Sequence, residues 1–321
     1  MNVTFRQLQL LEAVARNSSF TRASEELHLT QPAVSTQIKQ LEEEVGMALF
    51  EQQGKRIFLT EAGKEVYGFS RTIAQQFRDI ESVLDDMKGV KRGTLSLTVT
   101  STCKYFAPYL LAAFIKRHPG TKVHLEVVNR KELVQQLQEN IPDMVIMGIP
   151  PDNIELEAQA FMQNPLVIIA PRGHPLASSS RIPLSRLVEE NFILREQGSG
   201  TRNAVERFFQ ERNIKLNNSM EMGRNEAIKH AVMAGLGLGI VSLHTLEFEI
   251  ELDQIEILNV VGFPIMKEWY LAYRKGKRFS PIAHAFHDFV LNEAESTIKL
   301  PQPKAATPSK RKAVPTNINN M

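Results

Sequence analysis

The stretch TQPAVSTQIKQLEEEVG, residues 30–46, decides the fold of the N-terminal part of the chain. Its apolar residues recur every three or four positions, which places them on one side of a helix. Thr30 is a suitable N-cap, and Pro32 is tolerated because first-turn N–H groups have no partner within the helix. The opposite side carries hydroxyls, an amide and a lysine, which can hydrogen-bond base edges and phosphates. Alone, this pattern also fits an ordinary amphipathic surface helix.

The segments on either side favour DNA binding over an ordinary surface helix. Residues 4–16 and 20–27 are each predicted to be a short helix, and only three residues separate the second from the third. Two short helices joined by a tight turn are typical of a helix-turn-helix, whose second helix enters the major groove. Residues 49–60 are predicted to form a hairpin whose tip carries Lys55 and Arg56, placed to meet phosphates.

The run ASEELHLTQPAVSTQIKQLEEEVG resembles the winged helix-turn-helix of the LysR-type transcriptional regulators, and the similarity extends from Phe5 to Lys64. This resemblance implies double-stranded DNA as a partner. It also implies that five residues of the third helix face the DNA and that three cations lie near the phosphate backbone. In chain order, these residues are Arg22, Gln31, Pro32, Ser35, Thr36, Lys39, Lys55 and Arg56.

Composition indicates a soluble globular chain without disulfides. The 321 residues are enough for about two domains. Cys103 is the only cysteine, which excludes an internal disulfide and a cysteine-cluster metal site. No signal peptide is evident, and no apolar run approaches the roughly 20 residues that span a bilayer. We therefore expect a cytoplasmic protein without a membrane partner, and we identify no metal site.

Net charge does not reveal the DNA-binding function. The formal charge is +2, and the five cations from Lys299 onward exceed it without any acid among them. The first sixty residues hold six Lys and Arg against seven Asp and Glu. A DNA-binding domain needs its cations on one face rather than an overall positive charge. The tail, residues 299–321, is expected to be disordered and solvated, with non-specific DNA affinity as an alternative role.

A long helix is predicted from Glu61 to about Lys88, followed by a polar hinge at residues 88–93. Its apolar residues repeat at four-and-three spacing over more than three heptads, a pattern typical of helix pairing. Packing on its own domain is the alternative. The resemblance implies the linker helix that pairs two subunits, hence a homodimer or homotetramer on a pseudo-palindromic operator. The candidate dimerisation residues are Val66, Phe69, Ile73, Phe77, Ile80 and Leu84.

The rest of the chain alternates predicted strands and helices, which favours parallel α/β sheets. It resembles the periplasmic-binding-protein fold of the LysR-family effector domain. The expected fold class is α+β multidomain: an N-terminal winged helix-turn-helix, a long linker helix and a C-terminal two-lobed α/β periplasmic-binding-protein-like effector domain. The expected domains are 1–60, 61–89, 90–298 and the tail 299–321. Within the effector domain, lobe one is about 93–163 plus 266–295, and lobe two about 164–265.

Ligands of open parallel sheets bind at the carboxyl ends of strands, against helix N-termini. Residues 101–104 and 198–202 each follow a predicted strand and open a helix, and their hydroxyls, N–H groups and cations suit an anion. Ordinary N-caps and turns are the alternative. The resemblance implies a cleft between the lobes. The candidate effector-binding residues are Ser101, Thr102, Lys104, Asn129, Ser199, Gly200, Thr201, Arg202, Asn225 and Glu226.

The runs STCKYFAPYLLAAFIKRHPG, DMVIMGIPP and LREQGSGTR narrow the resemblance to the CbbR or RbcR subgroup, which activates RuBisCO and other carbon-fixation genes. This subgroup implies a phosphorylated or anionic effector, or NADPH, and contact with RNA polymerase. No cofactor is expected. Cys103 departs from the small residue expected there; it is either a small buried thiol or a source of redox sensitivity.

Competing functions fit the sequence less well. The GLGLG run at 235–239 follows a helix and precedes a strand, the reverse of a dinucleotide loop. Ser199 does not fit a Gly-x-Ser-x-Gly elbow, and no catalytic residues are identified. A solute-binding protein would share the effector fold, but the DNA-binding start opposes it. A LysR-type regulator of another pathway, such as sulfur or aromatic metabolism, stays the main alternative.

Overall fold

The computed structural model describes residues 2–53, 56–87 and 93–302 of the chain. The hairpin tip with Lys55, the hinge at 88–92 and the tail beyond residue 302 lie outside these residues. Two compact units are present. The first contains residues 1–163 and 268–298, and the second contains residues 164–267.

Residues 2–53 and 56–87 form a three-helix domain, a two-stranded wing and one long helix. These elements are α1 (Phe5–Asn17), α2 (Phe20–Glu26), α3 (Gln31–Val45), β1 (Phe50–Gln53), β2 (Arg56–Leu59) and α4 (Glu61–Met87). Val34, Ile38 and Leu41 are buried on one face of α3, as the spacing predicts. Among the described residues, the Thr30 side chain makes no capping hydrogen bond. The predicted cap did not take into account that Pro32 is the N2 residue. Proline has no N–H, so one of the two N–H groups that a capping side chain can bind is missing.

The long helix is attached to the wing at its first turn. Thr60 Oγ1 accepts the N–H of Gly63 at 3.0 Å and so caps α4. A Cβ on Gly63 would lie 2.0 Å from the carbonyl oxygen of Leu49, so only glycine permits this approach. Further along, Val66 and Tyr67 pack against the core of the N-terminal domain. The start of the predicted dimerisation seam therefore packs within its own chain.

Lobe one is the α/β part of the first unit. Its elements are β3 (Thr94–Thr100), α5 (Ala107–Arg117), β4 (Lys122–Val128), α6 (Arg130–Gln138), β5 (Met144–Met147), β11 (Ile265–Arg274) and α10 (Pro281–Thr297). β3 pairs in parallel with both β4 and β5, whereas β11 pairs antiparallel with β5. Helices α5 and α10 cover the sheet through Phe114 and Phe286, and Phe106, the residue before α5, packs in the same core.

Lobe two is the second unit. Its elements are β6 (Leu156–Pro171), β7 (Asn191–Arg195), α7 (Gly200–Gln210), β8 (Asn217–Met222), α8 (Asn225–Met233), β9 (Leu238–Ser242), α9 (Glu247–Glu251) and β10 (Ile255–Ile257). β7 pairs in parallel with β8 and β9, whereas β6 pairs antiparallel with β9 and β10. Strand β6 is 16 residues long and carries the chain from the first unit to the second.

Candidate DNA-binding and effector sites

The outer face of α3 presents every residue that the sequence assigns to DNA contact on this helix. Gln31, Pro32, Ser35, Thr36 and Lys39 are all exposed, while their neighbours Val34 and Ile38 are buried. The Lys39 side chain is 79% exposed, and its ammonium lies 4.0 Å from the Glu43 carboxylate. Arg22 is also exposed, at the start of α2. A helix with this polar edge can enter a major groove while its other face holds the core.

Glu42 holds the wing to the end of α3, a role that the sequence analysis missed. Its Oε1 accepts the backbone N–H groups of Leu49 at 2.7 Å and Phe50 at 3.2 Å. This carboxylate therefore fixes β1 relative to the helix that precedes it. In the sequence Glu42 is visible only as the first of three consecutive glutamates near the end of α3. Such a run is usually an exposed, solvated face, so it did not indicate this contact. Arg56 begins β2, and Lys55 lies outside the described residues.

The polar residues of lobe one meet at one edge of its sheet. Thr100 and Val128 are register partners at the ends of the parallel strands β3 and β4, so the residues that follow them are neighbours. Ser101 is half-buried and Thr102 is buried after β3, and Asn129 is exposed after β4. Asn129 caps α6 by accepting the Glu132 N–H at 2.9 Å.

Two cations flank this edge. The Lys104 ammonium lies 5.5 Å from the centre of the Tyr105 ring. Arg130, the first residue of α6, donates to the carbonyl oxygen of Ile149 at 2.6 Å. Burial lowers the pKa of Arg130, which Asp152 partly offsets. Arg130 thereby ties the start of α6 to the loop after β5.

Cys103 lies beneath this edge rather than in it. Its side chain is fully buried, with Sγ 3.2 Å from Thr100 Oγ1 and 3.6 Å from the carbonyl oxygen of Ile146. Burial raises the pKa of the Cys103 thiol well above its usual range. A buried, protonated thiol is a small core residue, which supports the first of the two sequence interpretations over redox sensitivity.

Lobe two repeats the arrangement at the carboxyl ends of β7 and β8. Arg195 and Met222 are register partners there, so the starts of α7 and α8 lie at the same edge. Ser199 is buried and caps α7 by accepting the Arg202 N–H at 3.0 Å. Gly200 and Thr201 are the first residues of α7, where backbone N–H groups have no intrahelical acceptor. Such a terminus suits an anionic group.

Arg202 was expected to offer its charge to a ligand, but the structure gives it another contact. Its guanidinium is almost fully buried, donating to Glu206 Oε1 at 2.5 Å and to the carbonyl oxygen of Arg195 at 3.3 Å. Arg195, which the sequence analysis missed, is buried beside it and bonds both carboxylate oxygens of Glu196. The sequence signal for this role was an arginine directly after the apolar residues 192–194 of a strand. In the structure both arginines organise the start of the helices.

Asn225 and Glu226 begin α8 next to this arginine pair. Asn225 is buried and its Oδ1 accepts from Arg195 Nη1 at 3.1 Å. Glu226 is half-buried in the first turn of the same helix. Across residues 2–53, 56–87 and 93–302, no group of three or more His, Cys, Asp and Glu is placed to hold a metal ion. In the same ranges no helix is long and apolar enough to cross a membrane.

A winged helix-turn-helix followed by a two-lobed α/β domain defines a DNA-binding transcriptional regulator with a small-molecule-binding domain. Residues 5–64 match the family described as bacterial regulatory helix-turn-helix protein, lysR family, and residues 88–295 match the LysR substrate binding domain. The chain belongs to the LysR family, and the predicted fold class is confirmed.

Three known proteins show how close these similarities are. The RuBisCO operon transcriptional regulator of Allochromatium vinosum is 57% identical over 294 residues, covering 92% of this chain and 97% of that protein. The Synechocystis PCC6803 CcmR regulatory domain, solved in complex with 2-PG, is 43% identical with a TM-score of 0.60, covering 62% of this chain and 96% of that one. Full-length CbnR, solved with its target DNA, is 25% identical with a TM-score of 0.68, covering 90% of this chain and 99% of that one.

Proposed function

We propose that this protein activates carbon-fixation genes, including RuBisCO genes, in response to an anionic, phosphorylated metabolite. The observation that carries the proposal is the 57% identity, over nearly the whole chain, to a RuBisCO operon transcriptional regulator. The complex of the CcmR regulatory domain with 2-PG supports 2-phosphoglycolate as the first ligand to test. NADPH and other phosphorylated metabolites are the alternatives for this site.

In this proposal each lobe has its own edge that suits an anion. Hydroxyls, an amide and a lysine come from Ser101, Thr102, Lys104 and Asn129 at the sheet edge of lobe one. Lobe two supplies the start of α7 at Ser199, Gly200 and Thr201, where N–H groups and the helix dipole favour an anion. Arg202 and Asn225 shape that edge through the contacts described above, and Glu226 lies in the first turn of α8. The effector is held by the protein alone, without a cofactor.

The DNA-binding part of the proposal rests on the exposed face of α3 and on the wing. Gln31, Pro32, Ser35, Thr36 and Lys39 face the DNA, and the Lys39 ammonium meets a phosphate. Arg22, Lys55 and Arg56 lie near the phosphate backbone. Paired α4 helices hold two such domains on a pseudo-palindromic operator, as a dimer or a tetramer, in the cytoplasm where the DNA lies. We assign DNA binding to residues 1–60, pairing to 61–89 and effector binding to 90–298. RNA polymerase is the proposed partner at the promoter.

A gel-shift titration with DNA upstream of a carbon-fixation operon tests this function. It is run without ligand and with 2-phosphoglycolate, ribulose bisphosphate, phosphoenolpyruvate or NADPH. We expect binding that resists competitor DNA and changes with one of these ligands. Thr201→Val, which removes one hydroxyl at the start of α7, should weaken the ligand effect and leave ligand-free binding intact. Binding no tighter than to random DNA would overturn the carbon-fixation assignment and favour sulfur or aromatic metabolism.

A further inference from the structure

An ion pair joins the long helix to lobe one within the first unit. Arg71 Nη1 of α4 lies 2.6 Å from Glu139 Oε2, at the C-terminal end of α6. The two side chains are only 19% and 22% exposed. Because the pair is largely shielded from water, salt screens it less than a surface pair. It is therefore a specific contact between two elements of different function.

The Arg71 end of this pair is anchored to the DNA-binding domain. Its guanidinium carbon lies 5.5 Å from the centre of the Tyr67 ring, and Nη1 lies 3.4 Å from the Tyr67 hydroxyl. Tyr67 packs against the apolar core formed by α1, α2 and α3. Burial raises the pKa of Tyr67, so the ring stays an uncharged phenol near neutral pH. A displacement of Arg71 therefore also displaces Tyr67, which packs against the core that supports α3.

The Glu139 end is oriented by its own helix. Glu139 Oε1 accepts from Gln135 Nε2 at 2.8 Å, which leaves Oε2 directed to Arg71. Gln136 holds the last turn of α6 to the sheet, because it accepts from Thr98 Oγ1 at 2.8 Å and donates to Glu126 Oε2 at 2.9 Å. The end of the helix that carries Glu139 is therefore bonded to lobe one.

Helix α6 connects this ion pair to the proposed effector site. Asn129 caps its start, and Glu139 follows its last residue, Gln138. At about 1.5 Å per residue the helix is roughly 13 Å long. A helix of this length moves as a rigid body, so a shift at Asn129 is transmitted to Glu139.

We propose that the Arg71–Glu139 pair couples effector binding in lobe one to the DNA-binding domain. The inference rests on the proposed function, because it places the effector at Asn129. An effector that binds one position of α6 more tightly shifts the Arg71–Glu139 contact, and with it α4. By linkage, operator DNA must change effector affinity by the same factor. The pair is a coupling contact and does not itself touch effector or DNA.

The test compares full-length variants by operator affinity with and without 2-phosphoglycolate. The natural chain should show a ratio of about five or more between the two dissociation constants. Glu139→Gln and Arg71→Gln should each bring this ratio close to one, and the double variant should do no more than either single change, because both remove the same contact. Additive effects, or the natural ratio in Glu139→Gln, would overturn the proposal.

A matched control separates this coupling from a general loss of ion pairs. Arg117 and Glu293 form an ion pair between α5 and α10, within lobe one. Glu293→Gln should leave the natural ratio unchanged. Loss of the ratio in this variant as well would contradict a specific role for Glu139.

Hydrogen exchange without ligand distinguishes failure of the coupling from failure of the proposed ligand. Glu139→Gln should speed amide exchange in residues 66–74 of α4, and Glu293→Gln should not. Unchanged exchange in α4 would overturn the coupling even if 2-phosphoglycolate binds. If none of the four metabolites changes operator affinity of the natural chain, the proposed effector class is wrong. Faster amide exchange in Glu139→Gln would then still support the mechanical link between lobe one and α4.

Discussion

Arg195 Nη1 donates a hydrogen bond to Asn225 Oδ1 at 3.1 Å, joining the end of β7 to the first residue of α8. The remaining guanidinium nitrogens bind both oxygens of the Glu196 carboxylate, at 2.7 and 2.8 Å. A planar guanidinium can satisfy these partners together, whereas a single ammonium cannot. Arg195 therefore positions both helix starts that form the proposed anion-binding edge of lobe two.

Replacing Arg195 by lysine should weaken effector binding while sparing operator binding. The change removes at least one charge-assisted hydrogen bond, worth about 1.5–3 kcal/mol. We expect the dissociation constant for 2-phosphoglycolate, measured by calorimetry, to rise about 10-fold. Arg207→Lys on the exposed face of α7 is the matched control and should bind as the natural chain does. Equal affinities in both variants would remove Arg195 from this role.

Replacing Lys39 by alanine should weaken operator binding through the loss of one phosphate contact. The slope of log affinity against log salt should fall by about one. Arg56→Ala in the wing should act in the same direction. Lys116→Ala, an exposed lysine on α5, makes the same change of charge away from α3. The salt slope is measured by gel shift at several ionic strengths, and an unchanged slope for Lys39→Ala would exclude this contact.

The sequence predicted the elements well because their patterns are local. The apolar spacing on α3 reports burial on one face, and this helix lies where expected. In β3 the alternating Leu95, Leu97 and Val99 are buried, but Thr98 on the other face is buried as well. Helix α9 was missed because five residues with three acids show no apolar periodicity. The antiparallel pairing of β6 with β9, and of β11 with β5, was also missed, since local patterns do not record which strand lies beside which.

The sequence could predict where the candidate site residues lie in the fold, but not which partners their charged groups contact. Polar residues after a strand lie at a sheet edge in any parallel α/β fold, so the positions of Ser101, Asn129 and Ser199 at these edges could be predicted, while their contact with an effector stays a prediction. The partner of each charge depends on residues distant in sequence or on side-chain rotamers. For that reason Arg202 was expected to face a ligand, although its guanidinium is used by Glu206 and a backbone carbonyl. The same limit hid the role of Arg195.

An acidic residue in the apolar stripe of α4 should prevent subunit pairing. Phe77 stacks on Phe5 at 4.2 Å, yet Phe69, Ile73, Ile80 and Leu84 are exposed. Phe69 is 68% exposed, and Phe69→Asp should convert the assembly to smaller species in sedimentation velocity. Phe248→Asp is a matched control because Phe248 is also exposed, on α9. If both variants sediment like the natural chain, Phe69 is not part of the pairing surface.

The Cys103 thiol should be inert in the folded protein. Because burial raises its pKa, the neutral thiol persists to higher pH than in an exposed cysteine, and little reactive thiolate forms at pH 8. A thiol-specific reagent such as an aromatic disulfide should label the native chain far more slowly than the chain unfolded in guanidinium. Fast labelling of the native chain at pH 8 would instead support redox sensitivity.

Two glycines of α4 should respond to alanine in opposite directions. A Cβ on Gly63 would lie 2.0 Å from the Leu49 carbonyl oxygen, and that atom also accepts the Thr60 N–H at 3.0 Å. Gly63→Ala must therefore displace the wing or the helix start, a cost of about 1–3 kcal/mol. A Cβ on Gly68 meets nothing within 4 Å, so Gly68→Ala gains about 1 kcal/mol of helix propensity. The temperature at which operator binding is lost should fall for Gly63→Ala and rise for Gly68→Ala. If Gly63→Ala loses operator binding at the same temperature as the natural chain, or at a higher one, the wing is not held against α4 by this backbone contact.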